Sequence, residues 1–186
     1  MKKPNLNLKR ASLLTSSLLC SALLIAVPLR KELNEDWKFK QARLNNWFPA
    51  TVPGVVHTDL MDNKIIEDPF FRLNERSMQW IDKEDWIYQT TFRLTPEMME
   101  KQNIELVFKG LDTYADVYLN DKKILEANNM FREWRTNIKP NLESGENILK
   151  IYFHSPIKVD IPKWDALPYQ SVSYTHLRAH ETLMNL

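Results

Sequence analysis

The sequence predicts an all-β fold, a jelly-roll β-sandwich, over residues 33–171. Several short segments alternate apolar and polar side chains, which places every second residue on one face of a strand. Turn residues separate these segments, and the strand–helix–strand alternation that builds parallel sheets is not seen. The 186 residues suffice for one domain with short extensions and exclude a barrel enzyme of about 250 residues within the chain.

The N-terminus has the pattern of a secretory signal peptide, which we place at residues 1–26. Its basic start consists of Lys2, Lys3, Lys9 and Arg10. An apolar run from Ala11 to Val27 follows, and cleavage is expected near Ala22 or Ala26. The run is short and rich in serine for a membrane span, which needs about 20 mostly apolar residues, so no stable span is expected. An amphipathic N-terminal helix is the alternative.

Cys20 is the only cysteine of the chain. It is a candidate for the lipid-modified first residue of a bacterial lipoprotein, but the preceding Leu18-Leu19 does not match the small residues that such processing needs. If the signal peptide is removed, the mature chain has no cysteine and therefore no disulfide.

The clearest strand signal lies at residues 86–94, where apolar side chains occupy every second position. Residues 104–108 and 149–153 repeat the pattern. Residues 114–119 and 124–125 flank Asn120-Asp121-Lys122, which predicts a hairpin. We expect these inward-facing side chains to be largely buried: Tyr88, Phe92, Leu106, Phe108, Val117, Leu119, Ile151 and Phe153.

Helical signals are few and short. Thr95 can cap a turn that begins with Pro96 and Glu97, and Met98 and Met99 can then face the sheet. A second short helix is expected after Pro53-Gly54, because Val55, Val56 and Leu60 have helical spacing.

The charge distribution argues against a nucleic-acid partner. The net charge of the chain is +1, but six basic residues precede the first acid, Glu32. Residues 32–186 therefore hold 19 basic and 24 acidic residues, a net charge of −5. A nucleic-acid-binding domain needs a basic face, which this body does not offer.

The C-terminal residues 172–186 are expected to be a non-native tail. The stretch from Val172 to Thr182 resembles one reading frame of the transposase-end adapter used in preparing sequencing libraries. His176 and His180 have the spacing of a metal-binding pair on a helix, but no third ligand accompanies them. We therefore predict no metal site there, and an open reading frame that was cut short.

The body resembles the N-terminal domain of the β-mannosidases of glycoside hydrolase family 2, especially exported enzymes of Gram-negative bacteria. The resemblance covers roughly residues 33–170 and depends on the order and spacing of many short motifs. They include Trp37-Lys38-Phe39, Val52-Pro53-Gly54-Val55-Val56-His57, Asp68-Pro69-Phe70, Asn74-Glu75, Gln79-Trp80, Trp86-Ile87-Tyr88, Gly110-Leu111-Asp112-Thr113-Tyr114-Ala115, Asn129-Met130-Phe131 and His154-Ser155-Pro156.

This resemblance implies a larger enzyme of several domains. In the family a galactose-binding-domain-like jelly roll precedes an immunoglobulin-like sandwich and a barrel that holds two catalytic glutamates, which act by the retaining mechanism. The resemblance therefore implies the same jelly roll for residues 33–171. The sequence departs from the family pattern before its Trp-Asp-Trp-Gly-Pro loop, which lines the mannose pocket. We therefore predict no catalytic, cofactor-binding or metal-binding residue in this chain, and a periplasmic location.

Several acidic residues and one histidine are the candidates for chemistry. Glu35-Asp36 and Glu84-Asp85 are adjacent in sequence, so strand geometry would point them to opposite faces, and solvated carboxylates are expected. Asp112 and Asp116 share a parity and are candidates for a cation or polar ligand, although orienting backbone amides is the expected role. His57 is a candidate sugar contact whose expected role is structural.

Four aromatic residues have faces suited to a pyranose ring, with core or interdomain packing as the expected alternative. They are Trp80, Trp86, Phe131 and Trp134. Two functions remain open: a truncated first domain of an exo-β-mannosidase, and a stand-alone carbohydrate-binding module. A sandwich used only for protein contacts has no motif in its favour.

Overall fold

The computed structural model describes residues 28–168. The predicted signal peptide with Cys20 and the predicted tail with His176 and His180 lie outside the described residues. Contacts divide the chain into residues 1–30 and residues 31–186. The sheets and helices belong to the second of these units.

Within the described residues, the secondary structure is mainly β. The strands are β1 (Lys38–Gln41), β2 (Phe48–Pro49), β3 (Trp86–Arg93), β4 (Glu105–Phe108), β5 (Tyr114–Leu119), β6 (Lys122–Ala127), β7 (Trp134–Asn137) and β8 (Glu146–His154). The helices are α1 (Val56–Asp62), α2 (Asn74–Ser77), α3 (Pro96–Met99) and α4 (Pro156–Asp165), with 3₁₀ turns at Ile81–Lys83 and Lys139–Asn141.

The strands form two antiparallel sheets, and the all-β prediction is confirmed. The larger sheet has six strands in the order β2-β1-β3-β8-β5-β6, and the smaller sheet pairs β4 with β7. At the centre, β3 pairs with β8 over its full length, from Trp86 opposite Phe153 to Arg93 opposite Glu146. The two strands that the alternating pattern marks most clearly thus form the middle of the large sheet.

The core lies on the inward face of the large sheet, where period-two alternation brings the apolar side chains together. Tyr88, Phe92, Val117, Leu119, Ile151 and Phe153 are buried, as expected from the sequence. Aromatic rings connect the strands: the ring centroids of Phe39 and Tyr88 are 5.5 Å apart, and the rings of Tyr88 and Phe153 meet edge to face at 5.8 Å. Val56 and Leu60 of α1 belong to this core, and partly buried Leu106, Phe108 and Trp134 of the small sheet pack against it.

Leu106 and Phe108 are less completely buried than the other predicted core residues. Both side chains, on β4, are only half-buried, although they pack against the core. In the described residues β4 has a single partner strand, β7. A two-stranded sheet cannot enclose its own inward face as the six-stranded sheet does, so alternation on β4 produces partial burial.

The predicted turns and short helices are confirmed. Asn120 and Asp121 have positive φ values of 49° and 63° and join β5 to β6, as a tight hairpin turn requires. The Thr95 side chain accepts a hydrogen bond of 3.3 Å from the Met98 amide and caps α3. Before α1, a side chain at Gly54 would collide with the Thr51 carbonyl oxygen, so the turn needs glycine.

Helix α4 is a difference from the sequence-based expectation, which named only two short helices, one capped by Thr95 and one after Pro53-Gly54. Ser155 caps α4, accepting a 3.2 Å hydrogen bond from the Lys158 amide, and Pro156 occupies the first turn. The Ser-Pro pair is the local signal for this helix, but the same pair also fits the end of a strand. No helix of the described residues is long and apolar enough to cross a membrane.

Candidate functional site: a polar cleft and the carboxylates around it

A polar cleft opens where the chain leaves β1, enters β3 and leaves β8. Its volume is about 450 Å³. The lining residues are Ala42, Arg43, Glu84, Asp85, Tyr152 and Lys158. The cleft is large enough for a sugar ring and offers one aromatic face, two cations and two carboxylates.

Asp85 is the best-connected carboxylate of the cleft. Its Oδ1 accepts a 2.8 Å hydrogen bond from the Ser155 amide, and its Oδ2 accepts a 3.0 Å bond from the Tyr152 hydroxyl. Lys158 Nζ lies 3.3 Å from the same Oδ2. Burial raises the pKa of Asp85, but these bonds outweigh it and hold the pKa below its ordinary value. The carboxylate therefore ties the start of β3 to the end of β8 and the start of α4.

Glu84 forms an ion pair with Arg43, with 2.9 Å between Oε1 and Nη2. The side chains of Glu84 and Asp85 are 16% and 20% exposed. The expectation that this pair is solvated is therefore wrong, because Arg43, which follows β1, and Lys158 of α4 pair with these carboxylates. Glu35 and Asp36 are exposed, as expected.

Asp116 lies on the outward face of the large sheet, between β8 and β6. Its Oδ2 is 3.0 Å from His154 Nε2, and its Oδ1 is 2.6 Å from Lys123 Nζ. Burial raises the pKa of Asp116, but Lys123 and His154 lower it below its ordinary value. Asp116 thus pairs with side chains, and the amide-orienting role expected for it is wrong.

Asp112 is buried beside a cavity of about 30 Å³ that Asp82, Glu84 and His154 also line. Its carboxylate accepts a hydrogen bond from the Thr113 hydroxyl, while Oδ2 has no hydrogen-bond partner. Asp82 Oδ1 is also buried without a partner. Burial raises the pKa of Asp112 to about 6, against the opposing effect of Thr113. The amide-orienting role expected for Asp112 is also wrong.

The cavity beside Asp112 is too small for chemistry on a sugar. A volume of about 30 Å³ has room for water but not for a sugar ring, since ligand pockets commonly measure about 300–1,000 Å³. A retaining glycosidase needs two carboxylates about 5 Å apart that flank a bound sugar ring. In the larger cleft, Glu84 and Asp85 are both committed to protein partners. Neither site in the described residues offers the required pair.

The carboxylate of Asp59 was not among the candidate residues predicted from the sequence. It is buried in α1, where Oδ1 accepts a 2.8 Å hydrogen bond from the Thr51 amide and Oδ2 a 2.7 Å bond from the Tyr88 hydroxyl. Burial raises the pKa of Asp59, and Thr51 and Tyr88 oppose the shift. The only local indication that Asp59 is buried is its place in α1 directly before Leu60, which is buried as well.

The four aromatic candidates divide between core and surface. Trp86 is buried and Trp80 packs against it, with ring centroids 6.0 Å apart, which confirms core packing for both. Trp134 is half-buried, donates a 3.1 Å hydrogen bond to the Asn129 carbonyl and carries the Arg132 guanidinium over its ring at 4.1 Å. Phe131 is 84% exposed and remains a candidate contact.

His57 is half-buried in the first turn of α1, and its structural role stays a prediction. Between residues 28 and 168, no group of three or more His, Cys, Asp and Glu side chains is placed to hold a metal ion.

Comparison with known proteins identifies the family of this domain. The model of the glycosyl hydrolase 2 galactose-binding domain-like family matches residues 37–184. The chain belongs to this family. The match extends past residue 171, so the boundary between galactose-binding-like domain and tail stays a prediction.

Relatives of this galactose-binding-like domain are β-mannosidases. The goat (Capra hircus) β-mannosidase is 37% identical over 67% of the chain, and β-mannosidase B of Emericella nidulans is 41% identical over 65%. These alignments cover 14% and 15% of the relatives' lengths. The chain therefore spans about a seventh of the curated relatives that it matches.

The solved structures agree on the fold. The β-D-mannosidase of Dictyoglomus thermophilum has 44% sequence identity and a TM-score of 0.71, covering 74% of this chain and 17% of that one. The exo-chitosanase of Amycolatopsis orientalis has a TM-score of 0.56 at 18% identity, which supports the fold alone.

Proposed function

We propose that this galactose-binding-like domain is the first domain of an exo-β-mannosidase, which removes terminal non-reducing β-D-mannose residues from oligosaccharides. The observation that carries the proposal is the 44% identity with a β-D-mannosidase of matching fold. The partners we propose are a β-mannoside oligosaccharide and the sandwich and barrel domains of the same polypeptide.

The contacts of the carboxylates in this domain indicate that catalysis takes place in another domain. Asp85 and Asp116 are held by hydrogen bonds and ion pairs with protein groups. Asp112 faces a cavity without room for a sugar ring. We therefore propose that nucleophile and general acid lie in the part of the enzyme beyond this chain, and that this domain supports them structurally.

Release of nitrophenol from its β-mannoside tests the proposal. The 186-residue chain, the full polypeptide encoded by the extended reading frame and a mock purification are compared, with nitrophenyl β-galactoside and β-glucuronide as substrate controls. We expect turnover of the β-mannoside by the full polypeptide alone. Turnover by the short chain that disappears on changing Asp112, Asp116, Glu84 or Asp85 would place the active site in this domain and contradict the proposal.

A stand-alone carbohydrate-binding module is the second candidate. The cleft of about 450 Å³ with Tyr152 at its wall favours it. Titration of the chain with mannose and mannobiose, followed by nuclear magnetic resonance, tests this function. Shifts at the cleft that Tyr152→Ala abolishes, together with a reading frame that encodes no barrel, would favour the module over the enzyme.

We also propose export to the periplasm, from the basic and apolar order of residues 1–26. The intact mass of the chain expressed in a Gram-negative host tests it. Loss of the first 22 or 26 residues is expected; a lipid adduct on Cys20 would favour the lipoprotein alternative, and an unprocessed chain would contradict export.

A further inference from the structure

The segment between α1 and α2 presents an unusual amount of apolar surface. We call residues 65–73 the Phe70 loop. The side chains of Phe70, Phe71 and Leu73 are 95%, 56% and 61% exposed. Phe70 is more exposed than any other large hydrophobic side chain among residues 28–168. Single exposed apolar residues are common, but three within four positions are typical of an interaction surface.

The backbone of the Phe70 loop is held by local hydrogen bonds. Asp68 organises the turn, because its Oδ1 accepts a 2.9 Å hydrogen bond from the Phe70 amide and its carbonyl accepts a 3.0 Å bond from the Asn74 side chain. The Arg72 guanidinium lies 5.0 Å from the centre of the Phe71 ring. An aromatic side chain on a supported turn can dock with little loss of conformational entropy, which suits an interface anchor.

The base of the Phe70 loop is joined to the core. The Ile65 amide donates a 2.9 Å hydrogen bond to the Leu60 carbonyl in α1, and Ile66 packs against the core cluster. After the loop, Met78 and Ile81 are buried. The loop thus turns outward between two anchored ends, so its apolar side chains are directed away from this domain's own core.

We propose that the Phe70 loop is the docking surface for the remainder of the same polypeptide, which covers Phe70 with a hydrophobic recess. The length of the relatives indicates this occupant. The goat β-mannosidase, which is 37% identical, is aligned over only 14% of its length, and the solved β-D-mannosidase over only 17%. Contacts between domains of one chain commonly bury about 600–1,500 Å², enough to cover this loop. The inference depends on the proposed function for its occupant but not on enzymatic activity for its test.

Thiol labelling at residue 70 is the experiment. Phe70→Cys is introduced into the 186-residue chain and into the full polypeptide, both with Cys20→Ser, and modification by a maleimide is quantified on the peptide that contains residue 70. Because an interface core excludes water, we expect labelling to be slower by at least about tenfold in the full polypeptide. Ile148→Cys, at an apolar position 41% exposed on β8, is the matched control and should label equally fast in both proteins.

The outcomes separate the possible occupants. Equal labelling of residue 70 in both proteins would overturn the proposal, even if the full polypeptide hydrolyses β-mannosides. Equal slowing at residue 148 would show that the protection is not specific to the loop and would also overturn it. Protection in the short chain that rises with protein concentration would assign the surface to a second copy, and protection only with phosphatidylglycerol vesicles would assign it to a membrane. Slow labelling of residue 70 in a full polypeptide that has no mannosidase activity would support docking and contradict the proposed function.

Discussion

Asp112 is a buried carboxyl group with incomplete hydrogen bonding. One oxygen accepts a hydrogen bond from Thr113 and the other has no partner beside the small cavity. Burial raises its pKa from the ordinary 3.8 to about 6. The folded domain therefore holds a proton that the unfolded chain loses, which makes Asp112 a pH-dependent element of stability.

The direction in which stability changes with pH follows from the raised pKa of Asp112. The stabilising contribution of protonated Asp112 is complete below pH 3.8 and is lost as pH rises through about 6. A pKa difference of this size corresponds to at most about 3 kcal/mol. We expect Asp112→Asn to raise the free energy of unfolding at pH 7.5 relative to the unchanged chain, by about 1–3 kcal/mol.

Urea unfolding of the two proteins between pH 4 and 7.5 measures this difference. The advantage of Asp112→Asn should grow through that interval. Asp165→Asn, at an exposed position at the end of α4, is the control and should change the free energy of unfolding at pH 7.5 by less than about 0.5 kcal/mol. A difference for Asp112→Asn that stays constant between pH 4 and 7.5 would contradict the raised pKa.

At the scale of elements, α4 is attached to the large sheet through polar groups. Asp85 accepts from the Ser155 amide and the Tyr152 hydroxyl, and Ser155 Oγ donates a 2.5 Å hydrogen bond to the Asp82 carbonyl. Farther along the helix, the Tyr114 hydroxyl donates to Asp160 over 2.5 Å. None of the residues of α4 is buried. The position of the helix therefore depends on directional bonds more than on apolar burial.

Removing the Asp85 carboxylate should loosen this attachment. We expect Asp85→Ala to lower the free energy of unfolding by about 2–3 kcal/mol, because two donors lose a charged acceptor. Tyr152→Phe removes only one of the bonds and should cost about 1 kcal/mol. Since the pKa of Asp85 is lowered, its contribution is present at neutral pH and is lost as pH falls through the folded-state pKa.

Urea unfolding at pH 7, with hydrogen exchange of the α4 amides, measures the two effects. Glu35→Ala, at an exposed carboxylate, is the control and should change the free energy of unfolding by less than about 0.5 kcal/mol. A cost for Asp85→Ala no larger than that of Tyr152→Phe would show that the Ser155 bond contributes nothing.

At the scale of the whole molecule, the domain combines a closed core with open surfaces. The inward face of the large sheet is buried, whereas β4 has one partner strand in the described residues and the Phe70 loop is exposed. Both open features agree with the proposal that this domain is one part of a longer polypeptide. Poor solubility or self-association of the isolated chain is the expected consequence.

The predicted tail should contribute nothing to this stability. We expect deletion of residues 172–186 to leave the thermal midpoint unchanged within about 1 °C, because a string of the predicted adapter origin would not have been selected to complement a core. Deletion of residues 156–186, which also removes α4, is the comparison and should lower the midpoint by several degrees. Scanning calorimetry measures the thermal midpoints of the unchanged chain and the two deletion variants. A clear drop in the midpoint on deletion of residues 172–186 would show that the tail stabilises the fold.

The sequence by itself determined those features whose cause is local. Alternation predicted β3, β5 and β8 because a strand places every second side chain on one face. Asn120 and Asp121 predicted the hairpin because these residue types tolerate positive φ, and Thr95 predicted the cap because its hydroxyl reaches an amide three residues ahead. The order of short motifs likewise indicated the family, because each motif lies within a few consecutive residues.

Only the tertiary structure decided which partners distant residues have. Asp59 meets Tyr88 and Asp85 meets Ser155 across separations of 29 and 70 residues, which no local pattern encodes. For the same reason the adjacent carboxylates of Glu84 and Asp85 are covered by Arg43, after β1, and by Lys158 of α4. Leu106 and Phe108 are only half-buried although their alternating pattern matches that of Val117 and Leu119. Periodicity determines which face of a strand a side chain occupies, but its burial and charge depend on what the rest of the chain places against that face.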